Sequence, residues 1–361
     1  MNIISKFFSI AFTFFSLLGS FQLHAMGLAT THTLILAKQF SKPPLLPVYQ
    51  SYIEQPYWQA FQQFFPASYR LNEQNSPIEY FWQWRQHQIH VDHFPLSNAK
   101  AKLILVHGLS THGRHMSMIL GKPMANAGYE VFSLDLPLYG LTRTDAKKEV
   151  LYEDWVQMLN DFISQEARKD DLPIFLYGLS AGGMLAYHAA SQNPYVKGVM
   201  GSSFLDLSRP EVREQTIRFY RLLDHLMPGL KLSGDTPIRH FRLPLTLVSK
   251  VRYTVNHPEA MNTLLLDPSS AGNRLSLGFF DSFIHYKPIP KQQKLNQPPL
   301  LLTLFENDSW TPSQVNHVFI RSLQPTNVHV ENIPHAGHLP IEFEGLEHLH
   351  KTVINFIEQY R

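Results

Sequence analysis

The amino-acid sequence predicts an α/β fold, with a mostly parallel sheet and helices on both of its faces. Two observations favour this class. Short apolar runs without alternation, such as residues 102–106 and 300–305, are typical of strands that are buried on both faces. These runs alternate with segments of helical periodicity along most of the chain, which predicts right-handed crossovers between parallel strands.

Composition narrows the classes of protein that fit this sequence. Apolar residues make up 44% of the chain and charged residues 17%, which is typical of a globular protein. The formal net charge is +2, so we expect no nucleic-acid partner. The absence of cysteine excludes thiol nucleophiles, disulfides and thiolate metal sites. We expect neither a cofactor nor a metal ion.

The first 25 residues have the pattern of an export signal. Lys6 supplies a positive charge, and residues 7–21 form an uncharged apolar stretch. Ala25 then offers the small residue that signal peptidases require. The stretch is shorter than the roughly 20 apolar residues that a membrane-spanning helix needs. We therefore predict cleavage near Ala25 and a periplasmic or secreted protein.

The rest of the chain divides into four predicted parts. Residues 26–75 are rich in Gln, Pro and aromatic residues and are predicted to be an N-terminal extension that packs on the body. Residues 76–206 form the first part of the core, which begins with two antiparallel strands. Residues 207–297 interrupt the alternation between the sixth and seventh core strands, and residues 298–361 complete the core.

Periodicity and local signals predict the individual elements. Gly128 favours the end of a helix that starts near residue 116, since glycine is common at that position. Ser208 and Glu211 form a capping-box pattern that starts an amphipathic helix. The predicted strands are 80–85, 89–94, 102–106, 129–134, 173–177, 196–201, 300–305 and 327–333, and the predicted helices are 116–127, 150–167, 182–192, 208–226, 312–323 and 343–360.

The sharpest motif is Gly178-Leu179-Ser180-Ala181-Gly182, which lies between a predicted strand and a predicted helix. Flanking glycines permit a tight strand-to-helix turn, and such a turn presents the serine hydroxyl at the edge of the sheet. The N-terminus of the following helix favours developing negative charge. The motif therefore predicts that Ser180 is a catalytic nucleophile.

A nucleophilic serine needs a histidine base and an acid that orients it. In this arrangement the acid and then the histidine follow the serine along the chain. Asp308 follows the seventh predicted strand and His338 follows the eighth, so both lie at carboxyl ends of strands. Asp206 is an alternative acid and His335 an alternative base, but the order and strand positions favour Asp308 and His338.

Two backbone N–H groups are expected to bind the oxyanion of the reaction. One belongs to Ala181, the residue after the nucleophile, and the other to Leu109, in the loop after the third strand. His107 is interpreted as a residue that positions this loop. His112 and His115 are interpreted as loop or pocket-mouth residues, because no helical segment carries a metal-binding H-E-x-x-H pattern.

Several of these motifs together resemble the serine-aminopeptidase-type branch of the α/β hydrolases, which includes monoglyceride lipases and lysophospholipases. They are residues 107–114 (HGLSTHGR), the segment that starts at Asp135, and the motifs GLSAG, ENDSWTP and HAGH. The resemblance covers roughly residues 102–361. It implies an α/β-hydrolase fold, a triad of Ser180, Asp308 and His338, and a cap at residues 207–297.

One segment departs from the pattern of this branch. After the fourth strand the branch usually has Asp-x-x-Gly-His-Gly-x-Ser, whereas residues 138–142 read LYGLT here. The departure leaves the predicted triad intact and favours no single subfamily.

The resemblance and the apolar runs in the insertion predict a serine hydrolase that cleaves carboxylic esters through an acyl-enzyme on Ser180. The expected substrates are lipid-like: a monoacylglycerol, a lysophospholipid or a short-chain ester. A peptidase of the same branch is one alternative. A non-catalytic binding or host-interaction protein on the same fold is another, since one fold hosts many functions.

Charge is distributed unevenly over the predicted parts. Residues 207–297 carry 13 basic and 7 acidic side chains, a net charge of +6, whereas the rest of the chain after residue 25 carries 17 and 22, a net charge of −5. Basic residues are attracted to anionic lipid surfaces, so we predict peripheral contact between the cap and an anionic membrane. The alternative is that these charges pair across the boundary between the cap and the body.

Overall fold

The structure is a computed structural model that describes residues 48–145, 148–217, 236–287, 298–321 and 327–361. The predicted signal peptide lies outside these residues and stays a prediction. Ten strands lie within the described part of the chain. They are β1 (Ile78–Trp84), β2 (His87–Phe94), β3 (Lys102–Val106), β4 (Glu130–Leu134), β5 (Ile174–Gly178), β6 (Val196–Gly201), β7 (Arg242–Pro244), β8 (Arg274–Ser276), β9 (Leu300–Phe305) and β10 (Val328–Ile333).

Eight of these strands form one sheet in the order β1-β2-β4-β3-β5-β6-β9-β10. β2 pairs antiparallel with β1 and with β4, and all other neighbours in this sheet run parallel. The mostly parallel sheet and its antiparallel start are as predicted. Because parallel strands end at the same edge, the loops after β3, β5, β6, β9 and β10 begin along one side of the sheet. β7 and β8 form a separate antiparallel pair.

Helices connect these strands and cover the sheet. α5 contacts β3, β5 and β6, and α11 contacts β6 and β10. None of the described helices is both long enough and apolar enough to cross a membrane. The described α-helices are α1 (Pro56–Phe61), α2 (Gly113–Met116), α3 (Lys122–Asn126), α4 (Tyr152–Ala167), α5 (Ala181–Ala190), α6 (Pro210–Thr216), α7 (Leu245–Val248), α8 (Pro258–Leu266), α9 (Leu277–His285), α10 (Ser313–Ile320) and α11 (Phe343–Tyr360).

The core lies where apolar strands meet apolar helix faces. β3, β5 and β9 are buried along their whole length, as their continuous apolar sequences predict. The closing helix α11 buries Leu346, Leu349, Val353 and Phe356, which recur at helical spacing. This stripe faces the sheet, and it fixes the last helix beside the strands that carry the site.

The helix predicted over residues 116–127 is interrupted in the structure. α2 and α3 flank a π-helical turn at Ser117–Gly121. The N–H of Gly113 donates to Asp135 at 2.6 Å, and the Ser117 hydroxyl donates to Asp92 at 2.6 Å. Both residues thus contact carboxylates that are distant in the sequence, and helical periodicity alone does not indicate such contacts.

The helix predicted over residues 208–226 is shorter, and its predicted capping box does not form. The Ser208 hydroxyl donates to Asp206 at 2.5 Å, and α6 begins without a side-chain cap. The helix ends at Thr216 because Ile217 is extended and pairs with Ser249. Residues 218–226 lie outside the described part of the chain.

The described part of the predicted N-terminal extension packs on the core. Tyr52, Trp58, Phe61 and Phe65 are almost fully buried. α1 also contacts α8, which belongs to the insertion between β6 and β9. Residues 48–75 therefore contribute side chains to the hydrophobic core that they share with the sheet and its helices.

Candidate active site

Ser180 lies in a strained turn between β5 and α5. Its backbone has φ 54° and ψ −123°, a region that residues with a side chain rarely adopt. A Cβ atom on Gly178 would overlap the carbonyl oxygen of Gly182, and one on Gly182 would lie 2.6 Å from the carbonyl oxygen of His107. The glycines of the motif therefore permit the close approach of chain segments that this turn requires.

A side chain from the neighbouring strand supports the strained turn. The N–H of Ser180 donates to the hydroxyl of Ser202 at 2.8 Å, and Ser202 follows β6 directly. The preceding N–H, of Leu179, donates to the carbonyl of Val106 at 2.9 Å. The position of Ser180 is thus set by bonds to both strands that flank β5.

Asp308 and His338 are brought together by the loops after β9 and β10. Nδ1 of His338 lies 2.8 Å from Oδ2 of Asp308. The other oxygen of Asp308 accepts the N–H groups of Trp310 and Thr311, both at 2.8 Å. The indole ring of Trp310 covers the imidazole, with the ring centroids 4.7 Å apart. Both the carboxylate and the imidazole are therefore held in one orientation.

The second nitrogen of His338 is available. His338 is only 2% exposed, and its Nε2 has no hydrogen-bond partner among the described residues. The hydroxyl of Ser180 also makes no hydrogen bond within the described part of the chain, so the structure has the acid–base pair but no bond from serine to histidine. Contacts of this kind commonly tighten only in the complex with substrate.

The alternative acid and base are engaged elsewhere. Asp206 lies 3.4 Å from Arg209 in an ion pair. His335 is exposed, and its nearest ionic partner is Glu344, at 3.6 Å. Within the described residues neither side chain forms a hydrogen bond or ion pair with Asp308 or His338, so the geometry favours the pair that the order along the chain predicted.

The two predicted oxyanion donors flank the serine loop. A Cβ atom on Gly108 would lie 3.0 Å from Cβ of Ser180, which places the loop after β3 directly against the serine. The N–H groups of Leu109 and Ala181 have no hydrogen-bond acceptor among the described residues. They can therefore donate to an oxygen that develops negative charge next to Ser180.

His107 holds the loop after β3 and is not free to act as a base. Its Nδ1–H donates to the carbonyl of Gly108 at 2.7 Å, and its Nε2 accepts the N–H of Leu136 at 2.9 Å. Burial lowers the pKa of His107 to about 4, so the ring is neutral at neutral pH. Its interpretation as a loop-positioning residue agrees with these bonds.

His112 and His115 are not pocket-mouth residues, since both are fully buried. Their rings stack with centroids 3.8 Å apart. Nε2 of His112 lies 3.3 Å from Asp267 of the insertion, and the Tyr52 ring packs on His112 at 4.9 Å. The stack therefore joins the N-terminal segment, the loop after β3 and the insertion.

A second group of polar side chains, which the sequence analysis did not predict, lies near this stack, since the Tyr52 ring that contacts His112 also contacts His90, at 5.1 Å. We call it the ion cluster: Glu79, His90, Asp92, Arg114 and Asp135. Arg114 lies 2.8 Å from Asp92 and 3.0 Å from Glu79. His90 lies between Glu79, at 2.9 Å, and Asp135, at 3.0 Å. Every member faces an opposite charge.

These contacts determine the protonation of the ion cluster. Burial disfavours charge on His90, but the neighbouring Asp135 and Glu79 outweigh it and raise the pKa of His90 to about 9. For Glu79, burial is outweighed by His90 and Arg114, which lower its pKa to about 2. His90 is thus charged at neutral pH, in contrast to His107.

The ion cluster is also the one group among the described residues with the spacing of a metal site. Glu79, His90 and Asp92 each offer a ligand atom, and these atoms lie within 4.8 Å of one another. The guanidinium of Arg114 already bonds both carboxylates, so a cation of the protein occupies the place that a metal ion would take.

The strand order, the serine in the turn after β5 and the Asp–His pair at the same sheet edge define the class of this protein: it is an α/β hydrolase. A family model described as "Serine aminopeptidase, S33" matches residues 97–344, more than half of the chain. The chain therefore belongs to the serine aminopeptidase S33 family, and the predicted branch is confirmed.

Individual proteins are similar to this chain in sequence or in structure, and the part of the chain that each similarity covers differs. Phospholipase YtpA from Bacillus subtilis (strain 168) is 35% identical over 107 residues, which are 28% of this chain; the match spans 40% of the length of that relative. A soluble variant of monoglyceride lipase from Saccharomyces cerevisiae, in complex with a substrate analogue, superposes with a TM-score of 0.61 and 18% identity over 82% of this chain and 97% of that one.

A monoacylglycerol lipase from Paleococcus ferrophilus has a TM-score of 0.56 and 19% identity, over 76% of this chain and 99% of its own. At such identities the structural similarity establishes the fold alone.

Proposed function

We propose that this α/β hydrolase cleaves carboxylic esters through an acyl-enzyme formed on Ser180. The observation that carries the proposal is how the two ring nitrogens of His338 are hydrogen-bonded. Its Nδ1 is bonded to Asp308, and its Nε2 is buried without a partner among the described residues. A neutral ring held in this way accepts a proton at Nε2, which is the role of the base in a serine triad.

In the proposed reaction the Ser180 oxygen attacks the ester carbonyl carbon while its proton passes to Nε2 of His338. Asp308 stabilises the resulting imidazolium, and the N–H groups of Leu109 and Ala181 bind the oxyanion. The carbon–oxygen bond to the alcohol then breaks, and His338 gives its proton to the leaving alcohol. Water repeats the sequence on the acyl-enzyme and releases the carboxylic acid.

We propose lipid-like esters as the substrates: a monoacylglycerol, a lysophospholipid or a short-chain ester. Two kinds of support exist for this class. The relatives named above include a phospholipase and two monoglyceride or monoacylglycerol lipases. The apolar residues of the insertion that the sequence analysis singled out also fit this class, although Phe279 of α9 is fully buried against Trp155, with ring centroids 4.6 Å apart, and belongs to the core.

We also propose that the basic insertion makes peripheral contact with anionic membranes. One of its basic residues, Arg239, is already paired with Glu149 at 2.6 Å, so the attraction depends on the other basic side chains. Binding to vesicles should increase with the fraction of anionic lipid and decrease with salt. Binding that responds to neither would contradict the proposal.

The experiment that tests the catalytic proposal compares Ser180→Ala with Ser203→Ala. Ser203 is a suitable control because it is buried and its hydroxyl has no partner among the described residues. Ser180→Ala should lower kcat on p-nitrophenyl esters on the order of 10⁴-fold and abolish labelling by a fluorophosphonate, without unfolding the chain. Ser203→Ala should do neither. Turnover by Ser180→Ala near the wild-type rate, or no labelling of the wild type, would reject the proposal in favour of a non-catalytic protein.

A peptidase of the same branch is the second candidate, because the family description names an aminopeptidase. The same purified protein should be tested on aminoacyl p-nitroanilides and on p-nitrophenyl esters of increasing chain length. A higher kcat/KM on the longer esters supports the lipase-like assignment, and a higher value on the anilides supports the peptidase.

A further inference from the structure

A short segment of the insertion contacts both loops that carry the Asp308–His338 pair. The carbonyl of Thr254 accepts the N–H of Leu339, the residue after His338, at 2.8 Å. Thr254 is fully buried, and its hydroxyl donates to the carbonyl of Val251 at 2.7 Å. The bond to Val251 therefore helps to hold the Thr254 backbone in the position in which it accepts the N–H of Leu339. We call the loop after β10, which carries His338, the histidine loop, and the loop after β9, which carries Asp308, the acid loop.

Two residues further along, Asn256 contacts the loop of the acid. Its side-chain Nδ2 donates to the carbonyl of Asn307, the residue before Asp308, at 3.0 Å. The N–H of Asn307 in turn donates to the carbonyl of Ala336, which lies two residues before His338, at 2.9 Å. The peptide groups around Asn307 thus connect the insertion, the acid loop and the histidine loop.

The histidine loop leaves room for the Asn256 side chain. A Cβ atom on Gly337 would lie only 2.9 Å from Nδ2 of Asn256. Any larger residue at position 337 would push the amide away from its acceptor. This close approach is an observation independent of the hydrogen bond, and it points to the same contact.

We propose that Asn256 is a positioning residue that holds the loop of Asp308 against the loop of His338. The inference rests on the proposed function, because it assigns a role within the same site. Asn256 touches neither residue of the pair and acts through the backbone around Asn307. The insertion then contributes to the geometry of proton transfer.

The test compares Asn256→Ala with Asn262→Ala. Asn256 and Asn262 both line a surface groove of the insertion, but the Asn262 side chain makes no hydrogen bond to either loop within the described part of the chain. It therefore controls for the loss of an asparagine side chain there. Asn256→Ala should lower kcat roughly three- to tenfold, the effect expected for one lost hydrogen bond that acts through geometry, while KM changes less than about twofold. Asn262→Ala should leave both constants unchanged.

A second readout does not depend on turnover. The downfield proton resonance of the His338 Nδ1–H, identified by its loss in Asp308→Asn, should shift in Asn256→Ala and stay in place in Asn262→Ala. An unchanged resonance with unchanged kcat in Asn256→Ala overturns the inference, as do equal effects in both variants. Failure of the proposed function is separate: it is the outcome in which Ser180→Ala remains active.

Discussion

The ion cluster and the Asp308–His338 pair are both largely buried, but their ionisable side chains have different neighbours. In the cluster, each charged side chain lies 2.8–3.0 Å from an opposite charge, although Nη1 of Arg114 has no hydrogen-bond partner among the described residues. At the pair, one ring nitrogen of His338 is bonded to Asp308, and the other, Nε2, is buried without a partner among the described residues. Leaving a buried polar atom unpaired is unfavourable by about 1–3 kcal/mol. The comparison is consistent with a stabilising role for the charge pairs of the cluster and with the proposed role of His338 as a base.

Two histidines show the same contrast. His90 lies between two carboxylates, and its pKa is raised to about 9. Among the described residues, the His107 ring is hydrogen-bonded to a backbone carbonyl and a backbone N–H, and burial lowers its pKa to about 4. The same side chain is therefore a cation within the ion cluster and a neutral hydrogen-bonding group beneath the serine loop.

The largest effect is expected from removing the central cation of the cluster. Arg114→Met leaves the buried Asp92 without its guanidinium partner and removes one of the two cations beside Glu79, so the free energy of unfolding should fall by about 3–5 kcal/mol. Arg85→Met is the matched control, because Arg85 is half-exposed and its pair with Asp154 at 3.3 Å should contribute at most about 1 kcal/mol. Urea denaturation of both variants measures the difference.

A loss below about 1 kcal/mol in Arg114→Met would show that the cluster does not carry stability. The contrast between the two regions also requires that Arg114→Met, when it is assayed as folded protein, keeps a kcat near that of the wild type.

The second effect concerns pH. The native pKa of His90 lies above its ordinary value of 6.5, so its contribution to stability is complete below pH 6.5 and is lost as pH rises toward 9. The native pKa of His107 lies below 6.5, so its contribution is present above that pH and is lost as pH falls toward 4. We call the loss above pH 6.5 the alkaline limb and the loss below pH 6.5 the acid limb. In each limb the free energy of unfolding should change by about 2 kcal/mol over roughly 1.5 pH units.

Denaturant titrations at pH 5, 7 and 8.5 measure both limbs. The variant His90→Gln should lose the alkaline limb and keep the acid limb. An alkaline limb of unchanged size in this variant would assign it to a different group.

The smallest effect is expected from the support of the strained turn. Ser202→Ala removes the acceptor of the Ser180 N–H, and kcat should fall about tenfold, which corresponds to ~1.4 kcal/mol, with KM nearly unchanged. Ser203→Ala, next to it in the sequence, should have no such effect on kcat. Equal activity of the two alanine variants would mean that the hydroxyl of Ser202 does not position the nucleophile.

Much of the fold could be predicted because its signals are local. β3, β6 and β9 have the predicted bounds, and β3 and β9 are buried along their whole length, which selects for their continuous apolar runs. The order of acid and histidine after the serine also selected Asp308 and His338, which the structure joins by a hydrogen bond.

The ion cluster could not be predicted in the same way. Its members lie in β1, in β2, after β4 and in α2, with no spacing that a motif describes. One signal was present: His90 and Asp92 are polar residues two positions apart, on the same face of a strand in which six of eight residues are buried. Buried polar residues in such a pattern need partners, but the sequence does not say that Arg114 supplies one.

The residues that position the candidate site also could not be predicted, because no sequence motif marks them. Ser202 and Asn256 act through backbone groups of residues distant in the chain, and any hydroxyl or amide side chain in a loop has the same local appearance. The π-helical turn after α2 belongs to the same category, because its first residue, Ser117, is bonded to a carboxylate in β2 that is distant in the sequence.

The backbone of Ser180 has a further consequence for the evolution of this chain. A residue with a side chain pays about 1–3 kcal/mol for such a conformation, whereas glycine adopts it freely. Under the proposed function, the conformation that presents the hydroxyl is therefore unfavourable for stability at this single position. Glycine at position 180 would relieve the strain and would also remove the proposed nucleophile.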